Sequence, residues 1–504
     1  MMDQMLQRSF NARVAEVLPI PTPLDRAVTL SERLGRAVWI KREDLTPVFS
    51  FKLRGAYNAI AGLGETERRA GVVAASAGNH AQGVALSAQR LGLACCIVMP
   101  RTTPSIKVDA VRRLGARVEL VGDDYTEAAA RCAAIAEETG MTSIPPYDHL
   151  DVIAGQGTVG LEVLRQAPRD LGSIFVPIGG GGLASGVAAV VKELRPAVRV
   201  IGVQPDDADA MAQSLRAGRR VRLEHVGLFA DGVATREPGE LTFGLCRRYL
   251  DGCITVGVDE ICAAIRDAFE DTRSVLEPAG ALALAGLKRA LHEGQLAEGA
   301  AVAVASGANM NFARLGHVAE RAQVGEHREA ILAVTIPERP GTFLEFCRVI
   351  GERSITEFNY RLATRSEAHI FVGVEVSGLA EARALASDLA ARGYVCVDLS
   401  EDDLAKTHVR HMVGGRTPEV RDEVRVAVEF PERPGALMQF LTHLGSRWNI
   451  SLFHYRNHGA AFGRVLCGLE VPAAERAELR SRLDAIGFPW VDETENRAGR
   501  FFLG

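Results

Sequence analysis

"SIFVPIGGGGLASGVAAVVKEL" (residues 173–194) starts as a β-rich apolar run, turns on four glycines, Gly179 to Gly182, and continues with helical periodicity. Glycines let a backbone turn sharply and aim several N–H groups at one point. The helix behind them adds the partial positive charge of its N-terminus. Such a turn is a cup for phosphate. The spacing is not G-x-G-x-x-G, and no Gly-Lys-Ser/Thr follows, so a single phosphate fits better than a dinucleotide. The plainer alternative is a tight turn with no ligand, which must order four glycines at a cost in chain entropy.

The same alternation extends on both sides. Residues 37 to about 310 alternate β-rich runs with helical stretches. The runs are "AVWIKRE" (37–43), "GVVAAS" (71–76), "ACCIVMP" (94–100), "RVELVG" (117–122), "SIFVPI" (173–178), "VRVIGVQ" (198–204) and "AVAVAS" (301–306). Between them lie "HAQGVALSAQRLG" (80–92), "SIKVDAVRRLGA" (105–116) and "TEAAARCAAIAEETG" (126–140). This is the pattern of parallel sheets covered by helices. It is long for one sheet, so two α/β lobes with a cleft between them are expected.

After about residue 325 the chain repeats itself. "VTIPERPGTFLEF" (334–346) returns as "VEFPERPGALMQF" (428–440), with "PERPG" starting at 337 and again at 431. "ITEFNYR" (355–361) is answered by "ISLFHYR" (450–456). Two copies are too few for a solenoid, and two paired α+β modules fit better. A duplication with no ligand is the alternative.

Composition narrows the class. The chain has 504 residues, enough for a large core, and a net charge of -5 with no block of like charges. Nothing marks a nucleic-acid or membrane arm. The N-terminal stretch lacks a continuous apolar segment, so neither a secretory signal nor a membrane span is expected. The nine cysteines are odd in number and form no C-x-x-C. Buried free thiols in a reducing compartment, the cytoplasm, is the expectation.

Three further stretches carry chemistry. "SFKLRGAY" (50–57) sets Lys52 between Phe51 and Leu53. A lysine there can snorkel to water, or it can sit desolvated and act as a nucleophile toward carbonyls. "VVAASAGNHAQGVAL" (72–86) places Ser76, Gly78, Asn79 and His80 at a helix start, where N–H groups suit a carboxylate; an ordinary capped helix is the alternative. "AVAVASGANMN" (301–311) ends a strand with Ser306, Gly307 and Asn309, at the sheet edge where ligands bind in open α/β folds. A lysine, a phosphate cup, a carboxylate site and a polar strand end together suit a phosphate-bearing aldehyde that takes amino acids. Pyridoxal phosphate is that molecule, with the lysine as the amine that condenses with its aldehyde.

"SFKLRGA", "SAGNHAQG", "AGQGT" (154–158), "GGGGL", "EPAGA" (277–281) and "SGAN", in this order, resemble the pyridoxal-phosphate enzymes of the tryptophan-synthase-β fold class. "TPLDRAVTLSERLG" (22–35) is similar to that class's N-terminal segment. Within it the chain resembles the biosynthetic threonine dehydratase (threonine ammonia-lyase) family over nearly its whole length, because the doubled C-terminal modules look like that family's paired ACT-like regulatory domains. The resemblance implies a two-lobed fold-type II catalytic unit with parallel sheets over residues 1–325. Its smaller lobe, roughly 50–150, is inserted in the larger one. ACT-like modules at 330–405 and 424–503 follow.

By position, the resemblance implies that Lys52 holds the cofactor aldehyde and Phe51 lines one face of the ring. Asn79 then bonds the 3′ oxygen, Gly179, Gly180, Gly181, Gly182 and the N–H of Leu183 hold the phosphate, and Ser306 faces the pyridine nitrogen. Ser76, Gly78, Asn79 and His80 hold the substrate carboxylate. The implied reaction is β-elimination on L-threonine, giving 2-oxobutanoate and ammonia as the first step of isoleucine biosynthesis, in a homotetramer inhibited by isoleucine. Valine is a candidate second effector. The effector positions are Gly341 and Phe343 in the first module and Gly435 and Leu437 in the second.

Two departures from related serine racemases matter. Ala77 stands where those enzymes carry a second serine base, which favours elimination over racemisation. Gln204 and Ala210 replace two acidic metal ligands, and Asp206, Asp207 and Asp209 are expected to face solvent, so no tight divalent metal is expected. The rival readings are an L-serine dehydratase or another elimination or replacement enzyme of the same fold, and a non-enzymatic amino-acid sensor. The intact lysine and glycine run speak against the sensor.

Overall fold

A computed structural model of the chain describes residues 4–324, 328–337, 346, 349–350, 355–362, 367–411, 422–431, 440, 443–444, 447–448, 450–456 and 462–503. The chain divides into two compact units, Met1–Val318 and Ala319–Gly504.

The first unit contains β1 (Leu24–Arg26), β2 (Val38–Arg42), β3 (Val72–Ala75), β4 (Cys95–Met99), β5 (Arg117–Leu120), β6 (Thr142–Ser143), β7 (Leu171–Pro177), β8 (Arg199–Pro205), β9 (Gly252–Val256) and β10 (Ala300–Ala305). They form a six-stranded sheet, β1-β2-β10-β7-β8-β9, and a four-stranded sheet, β5-β4-β3-β6. Only β1 runs antiparallel to its neighbour. The seven β-rich runs of the sequence all form strands. β3 and β10 are buried along their whole length, as apolar runs covered on both faces must be. Helices follow the expected stretches. Tyr125–Thr139 is capped by Asp124, whose side chain accepts from the N–H of Glu127, and closes on left-handed Gly140. β1 and β6 are too short for any periodicity to show. The eight described cysteines are free thiols; Cys95, Cys253 and Cys396 are half-buried and the rest are buried.

Beneath the helix Lys52–Ala61 lies a neutral set of buried charges. Arg54 donates to Glu43 at 2.7 Å and to Glu162 at 2.6 Å, and Lys41 donates to Glu162 at 2.6 Å. Thr22 and Thr158 complete the bonds to Arg54. Burying charges is tolerable only when every partner is present. Arg54→Met should therefore lower stability by about 3–5 kcal/mol, because Glu43 keeps its buried charge without its partner and Glu162 is left with Lys41 alone. A denaturant melt checks this, and a loss under about 1 kcal/mol would contradict it.

The second unit contains β11 (Glu329–Pro337), β12 (Ile355–Leu362), β13 (Glu367–Glu375), β14 (Val395–Asp398), β15 (Glu423–Pro431), β16 (Ile450–Arg456), β17 (Phe462–Glu470) and β18 (Trp490–Asp492). They form two antiparallel sheets, β12-β13-β11-β14 and β16-β17-β15-β18. The strand order is the same in both, and each shows a register shift at the same place, between Ile355 and Glu357 and between Ile450 and Leu452. The sequence repeat is thus a repeat of structure. Each copy has its own core, around Leu332 and Val372 in one and Val426 and Leu469 in the other. A third cluster joins Ile331, Ala333 and Phe371 of the first copy to Leu466 of the second and Phe502 of the last helix, so β11 is buried on both faces. Gly341, Phe343, Gly435 and Leu437 lie outside the described residues.

Candidate active site

Lys52 is the first residue of the helix Lys52–Ala61. Its Nζ lies 5.3 Å from the centroid of the Phe51 ring and donates to the carbonyl of Pro146 at 2.8 Å. Desolvation pushes its ammonium down to about 8, against the opposing pull of the Glu277 charge. The ammonium form still dominates near neutral pH, but the neutral, nucleophilic fraction is far larger than an ordinary lysine has.

The end of β10 is stitched to the residues before this lysine. Ser50 and Gly307 form an isolated antiparallel bridge, and the N–H of Phe51 donates to the carbonyl of Ser306 at 3.1 Å. Ser306 is buried, and its hydroxyl donates to the carbonyl of Ala279 at 3.3 Å. That bond is long, and a hydroxyl hydrogen rotates freely to a better acceptor.

Asn79 opens the helix Asn79–Leu91, whose N-terminus no side chain caps. Its Nδ2 donates to Glu277 at 2.5 Å, and its Oδ1 accepts from Asn309 Nδ2 at 2.7 Å. Ser76 Oγ accepts from the N–H of Gly78 at 3.2 Å. His80 turns inward. Its Nε2 bonds the carbonyl of Ile144 at 2.8 Å, and desolvation, helped by the Lys52 charge, pushes the imidazole down to about 3. Only its backbone N–H stands at the helix start.

The glycine run closes β7 and opens the helix Gly182–Leu194, which again has no side-chain cap. Gly181 has φ +99°, a region that side chains rarely adopt, and a Cβ there would lie 2.8 Å from Met211 and 2.9 Å from Thr242. A Cβ on Gly180 would clash with Cδ1 and Cε1 of the Tyr147 ring. Thr242 Oγ1 donates to the carbonyl of Gly180 at 2.6 Å, and Asp148 caps the helix that carries Thr242. The run is thus backed on its Cα faces by Tyr147, Met211 and Thr242.

The sequence reading did not single out Pro146, Tyr147 or Glu277. Pro146 touches Lys52, and Tyr147 touches the glycine run, so one short segment links the two. Glu277 is buried; desolvation pushes its carboxyl up to about 7, with the Asp231 charge adding to the push. Glu277 opens the quoted motif "EPAGA", but its residue type gives it no role, since an acidic residue ahead of an apolar helix reads equally as a helix start. One expectation is corrected: Asp206 and Asp207 are exposed, but Asp209 is buried, bonded to Gln213 at 2.6 Å and paired with Arg216 at 3.2 Å. The reason is its place at the start of the helix Ala210–Ala217, which turns it back over that helix. Gln204 is fully buried, its amide donating to the carbonyls of Ile178 and Ala208 and accepting from the N–H of Ala212.

Two uncapped helix starts, a glycine run held from behind, and a desolvated lysine beside an aromatic ring together fit pyridoxal phosphate.

The comparisons with known proteins point to the same cofactor. Residues 16–307 match the family model described as pyridoxal-phosphate dependent enzyme. Residues 320–409 and 414–503 each match the model described as the C-terminal regulatory domain of threonine dehydratase. The chain is 54% identical to a biosynthetic L-threonine dehydratase of Burkholderia multivorans, over 99% of both chains. It is 51% identical to that of Escherichia coli, over 99% of this chain and 97% of the other. Among solved structures, the processed form of threonine deaminase isoform 2 from Solanum lycopersicum is 47% identical with a TM-score of 0.62, covering 64% of this chain and 88% of that one. Maize serine racemase is 33% identical with a TM-score of 0.58, covering 62% and 95%.

Proposed function

Because the chain belongs to the biosynthetic threonine dehydratase family of pyridoxal-phosphate enzymes, we propose that it deaminates L-threonine to 2-oxobutanoate and ammonia with the residues around Lys52. The observation that carries the assignment of roles is Lys52 itself, a desolvated amine held at 2.8 Å by the Pro146 carbonyl beside the Phe51 ring.

Pyridoxal phosphate, when bound, supplies an aldehyde for the amine of the substrate and a ring that takes up the electrons released at the α-carbon. Lys52 would carry the aldehyde at rest. Freed of it, Nζ would be a neutral base positioned to take the α-proton. The β-hydroxyl then leaves and, with one proton, becomes water. Water returns in the hydrolysis that frees ammonia, so the net change is loss of ammonia alone. Phe51 would line one face of the ring, and Asn79 would hold the 3′ oxygen. The N–H groups of Gly179 to Gly182 and of Leu183 would hold the phosphate at a helix start. The turn from Ser76 to Asn79, with the backbone N–H of His80, orients the substrate carboxylate. Ser306, whose hydroxyl donates to Ala279 in the structure, would turn that hydroxyl to face the ring nitrogen. As a neutral partner it leaves the ring a modest electron sink, which suits elimination better than chemistry that needs a long-lived carbanion. An absorbance spectrum with and without threonine tests this. A visible band that changes on adding threonine, with release of 2-oxobutanoate, is expected. A preference for L-serine, giving pyruvate, would favour the rival dehydratase.

Regulation, assembly and location complete the proposal. We assign the catalytic domain to 1–325, with a smaller lobe at roughly 50–150, and the ACT-like modules to 330–405 and 424–503. The division of the chain at Val318 and the two regulatory matches support this. Isoleucine is the proposed inhibitor, valine a second effector, and the enzyme a cytoplasmic homotetramer. Among the described residues no helix is long and apolar enough to cross a membrane. The effector carboxylate would meet the N–H groups of a "PERPG" turn at Gly341 or Gly435, with Phe343 or Leu437 against its aliphatic side chain. An effector shifts activity only by binding two states unequally. Removing residues from about 328 onward, or Phe343→Ala, should leave catalysis but blunt inhibition. If Phe343 is only core, the same change instead costs about 3–5 kcal/mol of stability. Activity against isoleucine concentration, read beside a melting curve, separates these outcomes. Full sensitivity in an active truncated enzyme would contradict the regulatory role.

A further inference from the structure

The short turn Asp231–Val233 meets three different parts of the site, all within the first compact unit. Asp231 accepts from Lys107 at 2.8 Å and from Arg314 at 3.4 Å. Lys107 stands on the helix Ser105–Arg113, next to the four-stranded sheet. Arg314 also donates to the carbonyl of Phe229 at 3.1 Å. Gly232 lies against the helix that Glu277 opens: a Cβ there would sit 2.9 Å from Ala279 Cβ and 3.8 Å from Glu277 Oε1. Val233 supports the glycine run, its Cα 3.0 Å from where a Cβ on Gly179 would stand. Three consecutive residues thus touch Lys107, the Glu277 helix and the phosphate cup. Glu277 in turn takes the amide of Asn79. No step of the reaction proposed above uses this turn.

We propose that Asp231 and Lys107 are positioning residues that couple the helix Ser105–Arg113 to Glu277 and to the glycine run, so that their ion pair sets the charge Glu277 meets. The proposal deepens the reading of the site given above and rests on it. The charged groups facing Glu277 are Asp231 from the turn, Lys107 from the helix, Arg314 from the start of the helix Arg314–Val324, and Lys52 from across the site. Asn79 is its uncharged donor. Desolvation is the main influence on the Glu277 carboxyl; beyond it, Asp231 opposes ionisation, whereas Lys107 and Arg314 favour it. The two ends of one ion pair therefore act on Glu277 with opposite signs. A latch that merely holds the fold together has no such asymmetry, since losing either end would release it in the same way.

The test uses the full-length protein, with and without pyridoxal phosphate, carrying Asp231→Asn, Lys107→Met or Lys107→Glu. The readout is an infrared titration of the protonated carboxyl band that Glu277→Gln removes. In the parent the midpoint is expected at about 7. It should fall by up to about 1 unit in Asp231→Asn and rise by a similar amount in Lys107→Met, since removing a like charge favours ionisation of a buried carboxyl and removing an opposite one disfavours it. Lys107→Glu should raise it further. The acid limb of kcat/KM for threonine should move in the same opposed directions. The two lysine variants, at a partly exposed position, carry the test even where Asp231→Asn does not fold. Midpoints that stay at the parent value, or that move the same way in the aspartate and lysine variants, would overturn the proposal. The titration does not depend on turnover, so opposed shifts in a protein that fails to release 2-oxobutanoate would refute the assigned reaction and leave this coupling standing.

Discussion

Lys52→Ala is expected to give a folded protein with no useful turnover of threonine. One nitrogen is asked to do two things: hold the cofactor aldehyde and take the α-proton. Loss of a positioned base alone lowers a rate by roughly 10²–10⁴-fold. Here the attachment point is lost with it, so the fall should be at least that large. Stability should change little, because Nζ makes one hydrogen bond, to Pro146, and no ion pair among the described residues. Cofactor is still expected to bind through the glycine run, more weakly. A keto-acid assay beside a melting curve checks both halves. Near-normal release of 2-oxobutanoate by this variant would rule out the assigned roles.

Gly181→Val should cost both cofactor affinity and stability. The sequence suggests a cup whose mouth a side chain would block. In the structure the Cβ direction at Gly181 faces Met211 and Thr242, behind the cup rather than in front of it. The backbone there has φ +99°, where a β-branched residue is strained by about 1–3 kcal/mol. Relief of that strain moves the run off its support, and the N–H groups lose their common aim. The midpoint of a melt should therefore fall, and the dissociation constant for pyridoxal phosphate should rise by at least about tenfold, the equivalent of some 1.4 kcal/mol. A folded variant with unchanged cofactor affinity would contradict the assignment of the phosphate site.

Much of this architecture is local and therefore readable in the chain. β3, β4, β7 and β10 are buried apolar runs, and the "PERPG" repeat returns as two sheets with the same strand order. The glycine run and Lys52 announce their chemistry by residue type. What the sequence hides is distance. Lys52 meets a carbonyl 94 positions away, Asn79 a carboxylate 198 away, and Lys107 its aspartate 124 away. No spacing rule links Pro146, Tyr147, Asp231 and Glu277, because only the packing of two sheets brings them together. His80 shows how little residue type says of side-chain direction. Its backbone N–H stands at the helix start where a carboxylate site is expected, while its ring enters the core and bonds Ile144. Asp209 is a true misreading, since an acidic run reads as solvated while its last member folds back over a helix. In each case side-chain direction, which residue type does not encode, decides the outcome.

The central claim is that Lys52 is the residue that carries the cofactor. Reduction of the cofactor-loaded protein with borohydride fixes that linkage permanently, and peptide mass mapping then locates it. The account predicts a phosphopyridoxyl mass on the peptide containing Lys52, at close to one per chain, and none after Lys52→Ala. A label on another lysine, or no label on a protein that still turns over threonine, would contradict it.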